Sequence, residues 1–393
     1  LEARAPHRHT FMSAAHGNTA QALPPDALAV DPDICRARTP HKALYLDAGI
    51  WRAMREAVFV PAWHWLDDLD APAPSAPAAH NLVPVTLLPG LLDEPLLLAR
   101  DAAGSLRLLP NVCTHRGARL VEEPCRATQI RCPYHSRRFE LDGRMSVMPG
   151  FEGAAGFPGA ADHLRPLPLA HWGPLTFTSL APAQPFDEGF GPLMDRLDWL
   201  PWQRFVHDPS RSRDYEFNAH WALYVENYLE GLHIPFVHPG LSRSVSLETY
   251  RYELLPQAVL QVAGARADEP AFELPPGHPE NGQRIAAWYA WVFPNLMFNF
   301  YPWGLSHNRV EPLAPDRTRV RFRSWVCDPA RLGAGAGSAL DEVELEDEAI
   351  VERVQRGLVS RHFSRGRYSP THERGVHHFH RLLVQRLVQA GPG

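Results

Sequence analysis

Two short segments rich in cysteine and histidine organise the chain: residues 111–117 read NVCTHRG, and residues 132–135 read CPYH. Together they hold four potential metal ligands: Cys113, His115, Cys132 and His135. Each segment supplies one Cys and one His, and 16 residues separate the two pairs. Thiolate and imidazole bind soft and borderline metals, and two tight turns can direct four such groups to one point. The spacing therefore predicts a metal site.

Two kinds of metal centre use two Cys and two His. One is tetrahedral zinc, and the other is a [2Fe–2S] cluster in which two Cys hold one iron and two His hold the other. Zinc fingers usually group the Cys together and the His together, whereas here each segment supplies one of each. Flanking Gly117, Pro133 and Gly143 indicate loops between short strands. We favour the cluster. Zinc, or four unrelated residues in a chain with 21 His and 5 Cys, are the alternatives.

This motif resembles that of the Rieske [2Fe–2S] proteins. Respiratory-chain members carry a further Cys in each loop, where this chain has Ala118 and Tyr134. The difference indicates the oxygenase branch, the α subunits of Rieske non-haem iron oxygenases, and the resemblance extends over about residues 40–385. It implies an α+β chain, with a small all-β Rieske domain followed by a helix-grip (START-like) catalytic domain. That catalytic domain is expected to have an antiparallel sheet and a long C-terminal helix.

Composition excludes several other classes of protein. Acidic and basic residues are mixed, with 39 Lys+Arg against 44 Asp+Glu and no basic tract, so nucleic acid is not an expected partner. No apolar run approaches the ~20 residues that span a bilayer, so no membrane association is expected. Outside the cluster motif, Cys35, Cys125 and Cys327 do not form a disulfide framework. A cytoplasmic location is therefore predicted.

The pattern and the resemblance together predict four regions in the chain: an N-terminal arm (1–40), a helix (41–65), the Rieske domain (66–185) and the catalytic domain (186–393). That the helix packs on the catalytic domain is what the resemblance implies. The helix is predicted because Leu46, Ile50, Met54 and Val58 recur every four residues. Strands are expected at 83–88, 95–100 and 106–112, and later at 250–255, 258–263, 286–299 and 317–328. Further helices are expected at 220–233 and 339–359.

A second metal site is predicted around His233 and His238. On a helix, Glu230 and His233 share one face, and Pro235 would end that helix so that His238 swings back. Non-haem oxygenases bind Fe(II) through two His and one carboxylate. Alone, this spacing is a weak signal, and two structural histidines are the alternative. Beside the cluster motif, the segment from Glu226 resembles the iron-binding segment of Rieske oxygenases, which implies a mononuclear Fe(2+) site.

The third ligand is predicted to be Asp347. It lies on the apolar stripe of the helix predicted at 339–359: Val343, Ile350, Val351, Val354 and Leu358. Asp341, Glu344 and Glu348 lie off that stripe and are expected to be solvated. The family also places its ligand in a Glu-Asp pair ahead of a Val-Gln helix, matching Glu346-Asp347. Glu346 is the first alternative, and an acidic helix N-terminus without a metal is another.

The resemblance also implies partners and catalytic residues. A reductase is expected to pass electrons from NAD(P)H to the cluster, and the subunits to form a homotrimer. Glu230 is expected to bridge His233 to His135 of a neighbouring subunit, and Asn227 is a further candidate catalytic residue. Two departures are noted: Ser136-Arg137 stands where many members have Gly-Trp, and His220, a predicted helix cap, stands where Asn is common.

The substrate prediction starts from the aromatic stretch between Trp288 and Trp303. Four of its residues are candidate pocket residues: Trp288, Trp291, Phe293 and Phe298. Aromatic faces attract quaternary ammonium groups, and the chain resembles the choline, betaine and carnitine oxygenases. We therefore predict an O2-dependent monooxygenase or dioxygenase that hydroxylates or demethylates a small quaternary ammonium compound. The alternatives are aromatics packed in the core, an aromatic-acid oxygenase, a Rieske electron carrier without catalysis, and a helix-grip binding protein.

Overall fold

The computed structural model describes residues 26–66 and 80–390. Most of the predicted N-terminal arm and the Pro-rich stretch at 67–79 lie outside the described residues. The predicted single helix at 41–65 is instead α1 (Ala43–Leu46), α2 (Ala48–Met54), a π-helical turn (Arg55–Phe59) and strand β1 (His64–Trp65). Asp47 causes the break, because its side chain accepts hydrogen bonds from the Gly49 and Ile50 amides and caps α2. Leu46, predicted to be buried, is therefore 40 % exposed.

The cluster motif lies in a module of short antiparallel strands. Its first sheet is β2 (Leu82–Leu87), β3 (Glu94–Arg100) and β4 (Leu106–Pro110), and its second is β5 (Ile130–Arg131), β6 (Arg138–Phe139) and β7 (Met145–Val147). Strand β9 (Leu175–Thr178) pairs with β1 on one side and with β8 (Leu169–Trp172) on the other. The three strands predicted first in this region are thereby confirmed, with ends shifted by one or two residues.

The remaining elements build a sheet flanked by helices. In chain order they are α3 (Phe186–Leu197), β10 (Val206–His207), β11 (Arg213–Phe217), α4 (Trp221–Tyr228), α5 (Ile234–Val237), α6 (Leu241–Ser244), β12 (Val245–Leu255), β13 (Ala258–Ala265), β14 (Ile285–Val292), β15 (Leu296–Tyr301), β16 (Gly304–Ala314), β17 (Arg317–Val326), α7 (Leu340–Leu358) and α8 (Arg374–Gln389). The described strands β10 to β17 form one antiparallel sheet in the order β10-β17-β16-β15-β14-β13-β12, and β11 also pairs with β17. The predicted α+β class is confirmed.

Both faces of this sheet are covered. Val259, Trp291 and Met297 pack on one face with α4, α8 and the N-terminal helices. Trp288 and Phe298 pack on the other face with α3 and β9. Because both faces are buried, β14 and β15 read as one continuous apolar run. The single strand predicted at 286–299 is therefore wrong, and this stretch is a hairpin.

Helix α7 is joined to α4 by polar contacts. The Tyr224 hydroxyl donates to Glu344, and the His220 amide donates to the Gln355 side chain. These contacts bring the acidic residues of α7 to the end of α4. No helix in the described part of the chain is both long and apolar enough to cross a membrane.

Candidate metal centres and active-site cavity

The two cluster segments form matching tight turns, one after β4 and one between β5 and β6. The Gly117 amide donates to the Cys113 carbonyl at 2.9 Å, and the Ser136 amide donates to the Cys132 carbonyl at 3.1 Å. Gly117 has φ +69° and Ser136 has φ +62°, both left-handed. Ser136 therefore occupies a backbone conformation that favours glycine.

The four side chains of these turns converge. Both cysteines are buried, and the Cys132 thiol lies close enough to Cys113 to raise its pKa. The rings of His115 and His135 are 4.8 Å apart between centroids, and Nδ1 of His135 is buried without a hydrogen-bond partner. Burial is the main cause that raises the pKa of the Cys113 thiol, and the nearby Arg137 guanidinium offsets it only in part. Two buried thiols beside two imidazoles fit a [2Fe–2S] cluster whose outer iron is held by the His pair.

Arg137 lies buried beside these turns. Its side chain is 2 % exposed, and its Nη1 donates to the Thr114 hydroxyl at 2.7 Å and to Asp162 Oδ1 at 3.3 Å. The guanidinium also lies over the rings of Phe151 and Phe157. Thr114 belongs to the first turn and Arg137 follows the second, so one buried cation links the two halves of the cluster site.

The second site lies where α4 ends. The predicted helix at 220–233 stops at Tyr228, and Glu230 follows it in a turn, where its Oε2 accepts hydrogen bonds from the Leu232 and His233 amides. The prediction that Pro235 ends the helix is wrong, because Pro235 lies in the first turn of α5. Proline is tolerated there because no intrahelical N–H bond is lost. His233 and His238 therefore flank the short helix α5.

Asp347 faces both histidines. Its Oδ1 lies 2.9 Å from His238 Nε2 and 3.6 Å from His233 Nε2. The potential ligand atoms of these three residues lie within 4.8 Å of one another. Asn227 Nδ2 donates to the same Asp347 oxygen at 2.5 Å and orients it. Two imidazoles and one carboxylate directed at one point fit a mononuclear iron with open positions.

The Nδ1 atom of each histidine contacts a second carboxylate. Glu230 Oε1 lies 2.5 Å from His233 Nδ1, and Glu346 Oε2 lies 2.7 Å from His238 Nδ1. Such contacts fix the ring orientation and leave Nε2 free for a metal. Burial lowers the pKa of His238, but Asp347 and Glu346 outweigh it and the net pKa is raised. The sequence pattern indicates Glu346 only as an alternative to Asp347 as the third metal ligand. Its position next to Asp347 indicates that Glu346 lies near the metal site, but not that it contacts Nδ1 of His238.

Glu344 is buried, contrary to the prediction of a solvated acid. Its residue exposure is 3 %, while Val354, predicted to be buried, is 45 % exposed. The buried face of α7 runs through Glu344, Val351 and Leu358, because α7 packs on Tyr224 of α4 as well as on apolar neighbours. The apolar residues alone predict a buried face of α7 that is rotated by about one residue from the observed one.

A cavity opens beside the three candidate ligands. Its lining includes Tyr228, Tyr250, Tyr289, Tyr301, Asn299, Asn308, Leu241, Phe322, Leu340, Val343, Glu344 and Asp347. Its volume is about 90 Å³, so a substrate entering it must be small. The tyrosines are held in place: the Tyr228 hydroxyl donates to Asn299 at 2.9 Å, and that of Tyr250 donates to Gln261 at 3.0 Å. Burial raises the pKa of both, so their rings stay neutral.

None of the four predicted pocket aromatics lines this cavity. Trp288 and Phe298 point to the opposite face of the sheet. Trp291 shares the face of Tyr289, but it packs against Phe379 of α8, away from the metal site, and Phe293 packs beside it. The hairpin instead contributes Tyr289 and Tyr301 to the cavity wall, and Tyr228 of α4 and Tyr250 of β12 add to it. His220 acts as predicted, since its Nδ1 accepts from the Ala222 amide at 3.2 Å and caps α4.

Comparison with known proteins agrees with both sites. The family model "Rieske [2Fe-2S] domain" matches residues 86–158, and "Ring hydroxylating alpha subunit (catalytic domain)" matches residues 204–389. Choline monooxygenase of Arabidopsis thaliana is 29 % identical over 378 residues, covering 90 % of this chain and 83 % of the relative. The carnitine monooxygenase oxygenase subunit of Escherichia coli K12 is 29 % identical over 360 residues, covering 87 % and 91 %.

Solved structures show the same fold. A quaternary ammonium Rieske monooxygenase in complex with L-carnitine has a TM-score of 0.68 at 23 % identity, covering 93 % of this chain and 99 % of that one. Another structure of such an enzyme, described with carnitine oxidation and inter-subunit electron transfer, has a TM-score of 0.69 at 24 % identity. Naphthalene 1,2-dioxygenase from Rhodococcus has a TM-score of 0.61 at 18 % identity, covering 90 % and 95 %.

These matches, the converging Cys and His side chains and the carboxylate beside the second His pair lead to one assignment. The chain belongs to the Rieske-type ring-hydroxylating oxygenases, as an α subunit that joins a Rieske [2Fe–2S] domain to a mononuclear-iron catalytic domain.

Proposed function

We propose that this α subunit hydroxylates or oxidatively demethylates a small quaternary ammonium compound. The observation that carries the proposal is the cavity beside His233, His238 and Asp347, which is lined by five tyrosines and by carboxylates. Aromatic faces attract a quaternary ammonium group by about 0.5–2 kcal/mol per ring, depending on desolvation. Relatives that cover most of the chain are choline and carnitine monooxygenases.

The site residues divide into four proposed roles. Cys113, His115, Cys132 and His135 hold the cluster, and His233, His238 and Asp347 hold Fe(2+). When bound, the iron supplies O2 activation with electrons from the cluster, so that one C–H bond becomes C–OH and the other oxygen atom leaves as water. Asn227 holds Asp347, and Glu230 holds His233, so both act through a ligand. The tyrosines pack against the cationic group of the substrate and exclude water from it.

A separate reductase is the proposed electron source, taking electrons from NAD(P)H. The two matching family models, which together extend from residue 86 to residue 389, describe a Rieske domain and an oxygenase catalytic domain. None of the five cysteines, all of them in the described part of the chain, forms a disulfide. This supports the proposed cytoplasmic location.

A homotrimer is proposed because the two centres lie in separate parts of the chain. The core around the cluster turns is built within residues 82–164. Near each site an aromatic side chain is exposed: Tyr134, 59 % exposed, stacks on His135, and Phe236, 80 % exposed, lies three residues after His233. We propose that the cluster tip of one subunit docks at Phe236 of its neighbour, where Glu230 links His233 to the neighbour's cluster histidine.

Subunit mixing tests this arrangement. His135→Ala removes the cluster and Asp347→Ala removes the mononuclear iron, so neither variant alone turns over substrate. Mixed oligomers refolded or co-expressed from the two should regain activity, since an intact cluster then faces an intact iron site. Glu230→Gln should keep both metals but turn over slowly. Mixed oligomers without activity, or full activity of a dilute monomer, would contradict the trimer.

Steady-state turnover tests the function. With a surrogate reductase, we expect choline, carnitine or glycine betaine to stimulate NADH and O2 consumption together and to yield an oxidised product. Benzoate serves as the comparison compound for the aromatic-acid alternative. Coupled turnover of benzoate with no response to any quaternary ammonium compound would overturn the proposal in favour of an aromatic-acid oxygenase.

A further inference from the structure

Glu344 is a buried carboxylate in the cavity wall. It lies one helical turn before Asp347 on α7 and is 3 % exposed. Its Oε2 accepts a hydrogen bond from the Tyr224 hydroxyl at 2.5 Å. Its Oε1 is buried and has no hydrogen-bond partner. One oxygen of this carboxylate is therefore paired and the other is not.

The charge of Glu344 is also uncompensated. The described residues that line the cavity include Glu230, Glu344 and Asp347 but neither Lys nor Arg. An ionised carboxylate without a cation is costly, and burial accordingly raises the pKa of Glu344 well above its usual range. The protonated form is therefore favoured when no cation is bound, and a cation bound beside Glu344 would restore the carboxylate. Metal bound by His233, His238 and Asp347 would balance the charge of its own ligand, which leaves Glu344 as the acid that lacks a counter-ion.

Resting on the function proposed above, we propose that Glu344 is the counter-ion of the substrate's quaternary ammonium group and that the substrate is a cation without a carboxylate, such as an amino alcohol. A quaternary ammonium group has no N–H to donate, so it pairs with a carboxylate by charge alone. An oxygen without a hydrogen-bond donor suits that pairing. The rings of Tyr228 and Tyr301 in the same wall face the remaining surface of the cation.

The same lining disfavours a zwitterion. The carboxylate of a betaine or of carnitine would enter a cavity that holds three acids and no described Lys or Arg. Like charges in a poorly solvated site repel strongly. A hydroxyl group on the substrate instead finds neutral partners, since the amides of Asn299 and Asn308 line the same cavity.

The experiment compares cationic, zwitterionic and neutral ligands of the metal-loaded enzyme. The probes are choline, glycine betaine, L-carnitine and 3,3-dimethylbutan-1-ol, the uncharged isostere of choline. We expect kcat/KM for choline to exceed the values for both zwitterions by about tenfold or more. In Glu344→Gln, KM and Kd for choline should rise about tenfold, while Kd for the neutral isostere is unchanged. Glu342→Gln, an exposed acid on the same helix, is the matched control and should change neither.

Two results would overturn the inference. One is a preference for glycine betaine or carnitine over choline, and the other is an equal loss of choline and isostere binding in Glu344→Gln. Unchanged cluster absorbance and iron content establish that this variant is folded, and the wild-type ranking decides the substrate class without it. Turnover of zwitterions alone would overturn this inference and leave the proposed function standing. No turnover of any quaternary ammonium compound would overturn the proposed function itself.

Discussion

Asp347 and Glu346 are adjacent carboxylates that face different atoms of the same histidine. Asp347 reaches Nε2 of His238 and Glu346 reaches Nδ1. Asp347→Ala should therefore lose the mononuclear iron, reducing iron from about three atoms per chain to two with two sulfides retained. Glu346→Ala should keep the iron with affinity reduced about tenfold to hundredfold, as for other residues that orient a ligand. Iron and acid-labile sulfide analysis measures both, and iron loss only in Glu346→Ala would exchange the two roles.

Arg137 places a buried positive charge beside the cluster turns. Reduction adds negative charge to the cluster, and a nearby cation stabilises that form, so Arg137→Met should make the reduction potential more negative. Arg137→Lys should retain most of the wild-type potential. Arg138→Met, which removes the exposed neighbouring Arg, should leave it nearly unchanged. A redox titration followed by EPR measures the shift. Equal potentials in Arg137→Met and wild type would show that this charge does not act on the cluster.

Residues in local motifs could be predicted, and residues placed by packing could not. Cys113, His115, Cys132 and His135 were identifiable because two turns carry all four. The cavity tyrosines come from separate elements, α4, β12 and the β14–β15 hairpin, so no short segment marks them. Glu344 was missed because its burial depends on Tyr224 of another helix.

At the scale of elements, α8 crosses closely over the end of α4. A Cβ at Gly375 would lie 2.5 Å from the carbonyl oxygen of Leu229, which sits between Asn227 and Glu230. Gly375→Ala should therefore push the two elements apart, costing about 1–3 kcal/mol and weakening iron retention. Gly357→Ala on α7 has open space around the added Cβ and should gain up to ~1 kcal/mol. Thermal unfolding measures both, and shifts of the same sign would refute the close-contact explanation.

Helices and strands were predictable where their pattern is periodic and bounded. The long α7 and strands β2 to β4 show such patterns, and their predicted ends are close to those observed. Strand β16 was missed because it carries buried polar residues such as His307, Arg309 and Glu311. The β14–β15 hairpin was missed because both of its faces are buried, so its sequence lacks the alternation of apolar and polar residues that marks a half-buried strand.

Three buried neutral histidines couple the stability of the whole molecule to pH. Burial lowers the pKa of His64 to about 4 and those of His220 and His307 to about 3. Below pH ~6.5 the unfolded chain binds protons that the folded chain does not, so the free energy of unfolding falls as pH falls toward 4. At pH 5 each histidine should cost about 2 kcal/mol.

Chemical denaturation at pH 7.5 and pH 5.0 measures this loss. His64→Gln should lose less stability than wild type over the same interval, because one group no longer titrates. Comparing the two proteins separates the contribution of His64 to the pH dependence from that of acid-driven metal loss, because metal loss affects both proteins equally. An identical pH dependence in wild type and variant would contradict the assignment.

A single turnover without any reductase tests the central claim most directly. The metal-loaded protein is reduced chemically under anaerobic conditions, mixed with choline, and exposed to O2. We predict that the oxidised or demethylated product forms in amounts comparable to the iron sites, that the cluster is reoxidised in step with it, and that benzoate yields no product. Reoxidation of the cluster without product from choline, carnitine or betaine, or product formation from benzoate alone, would contradict the account.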